Sequence, residues 1–320
     1  MNIQKKSHDP KSDKKTVVLS PTVVVLATYV LLLLSKLVDV TLINRDNEYL
    51  SVVILQMMIF LIPAAVWCRF SGDRYMRSLR LRPFRADAIL LIAASAVLMI
   101  SGGVLISMLV GGLDNLSAQN FTLYDTFVSK DDGSVPIKLY LILAYAALPA
   151  VCEEFVYRGI LCREYERGGV LRAVLLSSLF FGMLHFNLRN LPVYLFAGVI
   201  LSLTMYATRS VFGAMLAHFL YNLFGLFGQP YVSTFYRLTG STALFVFVVG
   251  FLFLLSATVF CAQAARLYRL YLYKNHSADY RLPLIKKREE RRASYVEVLA
   301  KPTAIASVAV YVIALVITLF

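Results

Sequence analysis

Long apolar blocks, separated by short polar stretches rich in Arg and Lys, make up nearly the whole chain. They run over about residues 17–43, 50–69, 87–112, 137–162, 170–186, 190–208, 210–228, 241–268 and 303–320. Blocks of this length fit helices that cross the ~30 Å hydrocarbon core of a bilayer, and the middle ones sit at the lower edge of what suffices. The pattern therefore predicts an all-α protein: a polytopic transmembrane helical bundle of about eight or nine spans. The lower number holds if 303–320 lies on the membrane surface. By length and flanks, the first block is a retained anchor rather than a signal-peptide core.

Composition supports that class. Of the 320 residues 59% are hydrophobic and the mean hydropathy is +0.69, too apolar for a soluble protein. The net charge of +13 could point to nucleic acid, but the charges sit between the apolar blocks. One set of loops is basic: Lys5 to Lys15 in the N-terminal arm, Arg69 to Arg85, Arg163 to Arg172, and Arg266 to Lys301. The intervening loops hold only Arg45, or Lys130 beside Asp125, Asp131 and Asp132. The positive-inside rule then excludes nucleic-acid binding as the reason for the charge and places the N-terminus in the cytoplasm. An integral, multi-pass protein is expected, in the plasma membrane if the source is prokaryotic.

The chain divides accordingly into a polar cytoplasmic arm (1–15), N-terminal helices with a long external loop (16–136), a central core (137–228), a further helix (229–272), a basic cytoplasmic segment (273–302) and a last apolar helix (303–320). The external stretch 112–136 reads as a lid or connector. The basic segment, with Lys286, Lys287, Arg288, Arg291 and Arg292 at its centre, suits anionic lipid headgroups. Lys36 and Asp39 read as a local ion pair in the first span. Cys68, Cys152, Cys162 and Cys261 read as free, buried thiols, with no CxxC pair among them.

The candidate chemistry is confined to the core. Charged residues are expensive inside a bilayer and need a functional or pairing reason. Glu153, Glu154 and Arg158 lie within six residues of one apolar block. At ~100° per residue Glu154 and Arg158 share a face as i,i+4 neighbours, which predicts an ion pair and leaves Glu153 to face a cavity. His185 and His218 lie in later blocks, and Asn222 falls one turn after His218; His8 and His276 are in polar tails. If these groups converge, a secluded carboxylate can act as a general base on water. Two imidazoles and an amide can hold either a metal or the water and an oxyanion directly. Both routes lead to hydrolysis of an amide. Counting along the helices puts Glu153 and His218 near mid-membrane and His185 farther toward the outside.

Three motifs stand in order on separate blocks: Glu153-Glu154-Phe155-Val156-Tyr157-Arg158, Phe181 to His185, and His218 to Asn222. In them, and in Phe196-Ala197-Gly198 through Arg209-Ser210, the chain resembles the CPBP (Abi) family of CAAX-processing and bacteriocin-self-immunity intramembrane proteases, over roughly residues 137–228. The resemblance implies a base role for Glu153, a site-shaping pair of Glu154 with Arg158, and binding of water, metal or oxyanion by His185 and His218, with Asn222 completing the oxyanion contacts. It leaves open whether Glu153, His185 and His218 hold zinc or the protein works without a metal. The expected function is an endopeptidase acting on a membrane-bound peptide or protein substrate. The alternative is a non-catalytic immunity or scaffold protein that binds a peptide or partner in the same cavity. A transporter is disfavoured because no inverted repeat is present.

Overall fold

The structure is a computed structural model and describes residues 20–37, 48–111, 135–274 and 288–319. Among the described residues every regular element is helical, as the apolar blocks require: in hydrocarbon each backbone N–H and C=O must find its partner within the chain. The helices are α1 (Thr22–Leu37), α2 (Glu48–Ser71), the short α3 (Asp73–Arg77), α4 (Ile89–Gly111), α5 (a continuous run from Val135 to Gly168), α6 (Val170–Met183), α7 (Leu191–Thr208), α8 (Val211–Phe227), α9 (Gln229–Thr239), α10 (Thr242–Lys274), α11 (Arg288–Leu299) and α12 (Pro302–Leu319).

Among the described residues five helices are long and apolar enough to cross a membrane: Val53–Ser71, Ala86–Gly111, Lys138–Gly168, Leu191–Thr208 and Thr242–Tyr271. The bent pair α8 and α9 makes a sixth if counted as one span. The stretches at Thr22–Ser35, Val170–Met183 and Pro302–Ile317 are apolar but short. At ~1.5 Å per residue a helix the length of α6 covers about 21 Å, less than the ~30 Å core. The nine apolar blocks are thus all helical where described, and among the described residues five or six helices reach spanning length against the eight or nine expected. The block 170–186 falls short because its helix stops at Met183, and the block 17–43 is described only over 20–37.

The packing places α4 in the middle, against α7, α8 and α10, with α6 laid along α7. On the other side α1 packs on α2 and α12, and α2 lies on the Leu148–Glu154 stretch of α5. Tyr29 of α1 donates its hydroxyl hydrogen bond to the Phe180 carbonyl of α6 and ties the two sides together. Outward faces are apolar, as on α10 with Leu244, Phe247, Phe251 and Leu254 exposed. Large exposed apolar side chains in such a belt suit a lipid solvent. The Lys36–Asp39 pair, the loop 112–134 and the centre of the basic segment lie outside the described residues. Cys68, Cys152 and Cys162 are buried as expected, but Cys261 is exposed, because it faces outward from α10.

Three local features set up the core. The α5 run is not uniform: π-helical turns at Ile142–Ala147 and Phe155–Leu161 flank the α-helical Leu148–Glu154. Such wide turns carry an extra residue and re-aim side chains, and they concentrate at functional sites. The α6 helix ends at Met183, and the chain turns through Phe186, which adopts a left-handed φ of 47°. Asn187 Oδ1 then accepts the Asn190 backbone N–H at 2.9 Å, just before α7 opens with Pro192 in its first turn. Third, a Cβ on Gly198 would lie 2.9 Å from the Ser178 Cβ, so glycine lets α7 approach α6 closely.

Candidate active site

Glu154 and Arg158 are the predicted i,i+4 pair, with Arg158 Nη1 donating to Glu154 Oε1 at 2.7 Å and both side chains fully buried. Arg158 Nη2 donates to the Gly198 carbonyl at 3.0 Å, and its guanidinium lies 4.4 Å above the centre of the Phe181 ring. The close approach at Gly198 is what brings that carbonyl within reach. The same Glu154 Oε1 also receives His218 Nδ1 at 2.9 Å. Glu154 is therefore shared between the guanidinium and the imidazole. A buried ion pair of this kind holds only when extra hydrogen bonds satisfy its remaining atoms.

Some atoms here are not satisfied. Glu153 Oε2, Glu154 Oε2 and Arg158 Nε are buried with no hydrogen-bond partner among the described residues. Buried polar atoms in a native fold are nearly all paired, so three orphans in six residues mark a place where the chain keeps capacity for something other than itself. Glu153 is 9% exposed.

Beside this cluster is a cavity of about 160 Å³, lined in part by Tyr145, Phe181, His185, Tyr194, His218 and Asn222. It far exceeds the ~10–15 Å³ that one water needs. The side chains come from α5, α6 with its following turn, α7 and α8. Phe181 is the hinge of the arrangement: its ring meets His185 edge-on at 5.3 Å, His218 at 5.7 Å and Tyr157 at 5.5 Å between centroids. Its carbonyl receives His185 Nδ1 at 3.1 Å. A carbonyl only accepts, so His185 Nδ1 carries the proton and Nε2 is the basic nitrogen. The ionised Glu154 carboxylate sets the same tautomer in His218. Tyr194 stacks flat on His185, with centroids 3.8 Å apart and planes 10° off parallel. Asn222 Nδ2 reaches the Ala146 carbonyl in the first π-helical turn at 3.5 Å.

The predicted residues fall into two layers. His185, His218 and Asn222 share the cavity wall; Glu154 and Arg158 stand behind His218; and Glu153 is buried alongside them rather than in the wall. The predicted difference in depth between His185 and His218 does not separate them, because both rings pack on Phe181. Since α6 stops at Met183, His185 sits in a turn, not on the helix face from which depth was counted. The His218 bond to Glu154 was not foreseen, and neither were Tyr194, Tyr145 and the role of Phe181. Tyrosines in an apolar block carry the same signal as the histidines, a polar group inside an apolar helix.

Whether Glu153, His185 and His218 suit a zinc ion can be tested on their arrangement. Among the described residues no three His, Cys, Asp or Glu side chains come together as a metal-holding set. With Nδ1 of each imidazole committed to Glu154 or to the Phe181 carbonyl, Nε2 of each ring keeps the form that a metal or a water would need.

Residues 135–224 match the family model described as type II CAAX prenyl endopeptidase Rce1-like. This supports a CPBP/CAAX-protease-like family and, at that level, a protease embedded in the membrane that takes a membrane-associated peptide. No curated protein and no solved structure gave a match to the chain.

Proposed function

From a CAAX-protease-like core buried in an apolar helical bundle, we infer an intramembrane endopeptidase that cleaves a peptide bond of a membrane-associated substrate with water activated by Glu153. The observation that carries this reading is the division of labour between adjacent carboxylates. Glu154 is consumed by Arg158 and His218, while Glu153 is buried with an unpaired oxygen within electrostatic reach of His218 and Tyr194 on the cavity wall. A general base needs that independence.

The roles follow from the tautomers. A neutral imidazole with its proton on Nδ1 offers an acceptor at Nε2, so His185 or His218 holds a water by one O–H group and leaves the other O–H to Glu153. Glu153 takes a proton from that water as its oxygen attacks the scissile carbonyl carbon. The carbonyl oxygen becomes an oxyanion, for which the Asn222 amide is the donor on the cavity wall. Glu153 returns the proton to the leaving nitrogen, the C–N bond breaks, and a carboxylic acid and an amine result. Arg158 and Glu154 keep His218 oriented. In this reading the N-terminus faces the cytoplasm, as the positive-inside pattern of the basic loops suggests, and the substrate class is a prenylated or otherwise membrane-tethered peptide tail.

The test uses the full-length protein in vesicles with a quenched, farnesylated CAAX peptide as probe, alongside a proteomic comparison of cells carrying wild type or Glu153→Ala. Cleavage by wild type and accumulation of uncleaved precursors with a folded Glu153→Ala variant are expected. Undiminished processing by that variant would reject the enzyme in favour of a scaffold.

A further inference from the structure

A second groove lies away from the candidate active site. It measures about 790 Å³ and runs between α1 and α2, with residues from the end of α5 in its lining. That size is within the ~300–1,000 Å³ range of ligand pockets. Its walls are aliphatic along most of the length, with Ala27, Val30 and Ile62 among them, and Ile62, Val66 and Phe70 are exposed along its open side. One end is different. There Trp67, Tyr75, Glu164 and Arg167 line it, where the last turn of α2 meets the end of α5.

Two observations at that end point to an amphiphile. First, Trp67 is nine-tenths buried and its indole N–H faces the Tyr75 hydroxyl, whose own proton finds no acceptor among the described residues. The two rings meet edge to face at 6.5 Å. A hydroxyl donor left without an acceptor at the mouth of an apolar groove calls for one such as an ester or phosphate oxygen. Second, the mouth is basic. Arg167 is 64% exposed and only 3.6 Å from its partial counter-ion Glu164, while Arg69 is exposed in the same last turn of α2. Arg-rich loops face the leaflet that holds anionic lipids.

We propose that this groove binds one anionic diacyl phospholipid, its chains along α1 and α2 and its headgroup oxygens on Tyr75 and Arg167. The lipid braces α2, which in turn backs the α5 stretch carrying Glu153 and Glu154. Neither the α1–α2 walls nor this ligand belongs to the proposed hydrolytic chemistry, so the site stands or falls independently of it.

Trp67 is the chain's single tryptophan, so intrinsic fluorescence reports on the groove alone. The full-length protein is placed in phosphatidylcholine vesicles, and brominated phosphatidylglycerol or brominated phosphatidylcholine is added as quencher. Saturable quenching, with the anionic lipid roughly fivefold more effective per mole, is expected from one arginine at the headgroup. Arg167→Gln removes that preference, and Ala27→Phe, which fills the groove, lowers quenching by both lipids. Equal quenching in proportion to mole fraction means ordinary boundary lipid and overturns the proposal, as does a preference that survives Arg167→Gln. Reversal by an unlabelled farnesylated peptide, but not by unlabelled phosphatidylglycerol, would assign the groove to substrate and overturn it as well.

Discussion

Two clusters of charge sit on α5, fewer than ten residues apart, and they are finished differently. At the loop end, Glu166 uses both oxygens: Oε1 accepts from Arg163 at 3.0 Å, and Oε2 accepts from Arg80 at 2.8 Å and from the Tyr206 hydroxyl at 3.2 Å. Arg163 also donates to Ser78 at 2.9 Å, and the Arg80 carbonyl accepts from the Val211 backbone N–H at 3.2 Å. The net effect clamps the loop before α4 to the ends of α5, α7 and α8. In the interior cluster Glu154 Oε1 takes two donors while its other oxygen, and the neighbouring Glu153 oxygen, take none. A completed network rigidifies a fold; an incomplete one beside a cavity holds capacity in reserve. The contrast, rather than burial alone, separates structural charge from chemical charge.

Four experiments press on that contrast. Glu153→Gln should lower turnover of the quenched peptide by about 10³-fold, within the range for loss of a general base, with the thermal midpoint nearly unchanged. Glu166→Ala should do the reverse: a stability loss of roughly 3–5 kcal/mol from a broken buried pair, read by thermal unfolding, with turnover per folded molecule altered only a few-fold. If Glu166→Ala instead abolishes turnover in a fully folded protein, the division between the clusters fails. Asn222→Ala should lower kcat by about 10²-fold with KM little changed, as for removal of one oxyanion donor. The smallest effect belongs to Tyr194. Tyr194→Leu should cost up to about tenfold in kcat through loss of stacking on His185, and Tyr194→Phe should restore most of it.

Much of this was readable from residue order. The charges of α5 stood out because nothing else in an apolar block explains them, and i,i+4 spacing was enough to pair Glu154 with Arg158. The three motifs were expected on separate helices, and they start on α5, α6 and α8, with His185 carried into the turn after α6. What was not readable depends on where helices change or stop. A constant 100° step cannot register the π-helical turns around Leu148–Glu154, and it pointed Glu153 into a cavity whose wall is built by other side chains. Hydropathy ran the fifth block on to residue 186, whereas Asn187 and Pro192 hold the signals for the break that frees His185 from α6. The bond between Glu154 and His218 joins positions 64 apart in sequence and depends on packing alone.

The wide turns of α5 also decide where the helix tolerates a change in length. Each stores one residue more than a regular turn would use. Excising a single amino acid from Ile142–Ala147 would let that turn relax to ordinary winding, with the segments on either side still in register and only the Ala146 carbonyl that Asn222 reaches displaced. Excising one from the regular stretch Leu148–Glu154 would instead rotate everything upstream by about a hundred degrees relative to Arg158.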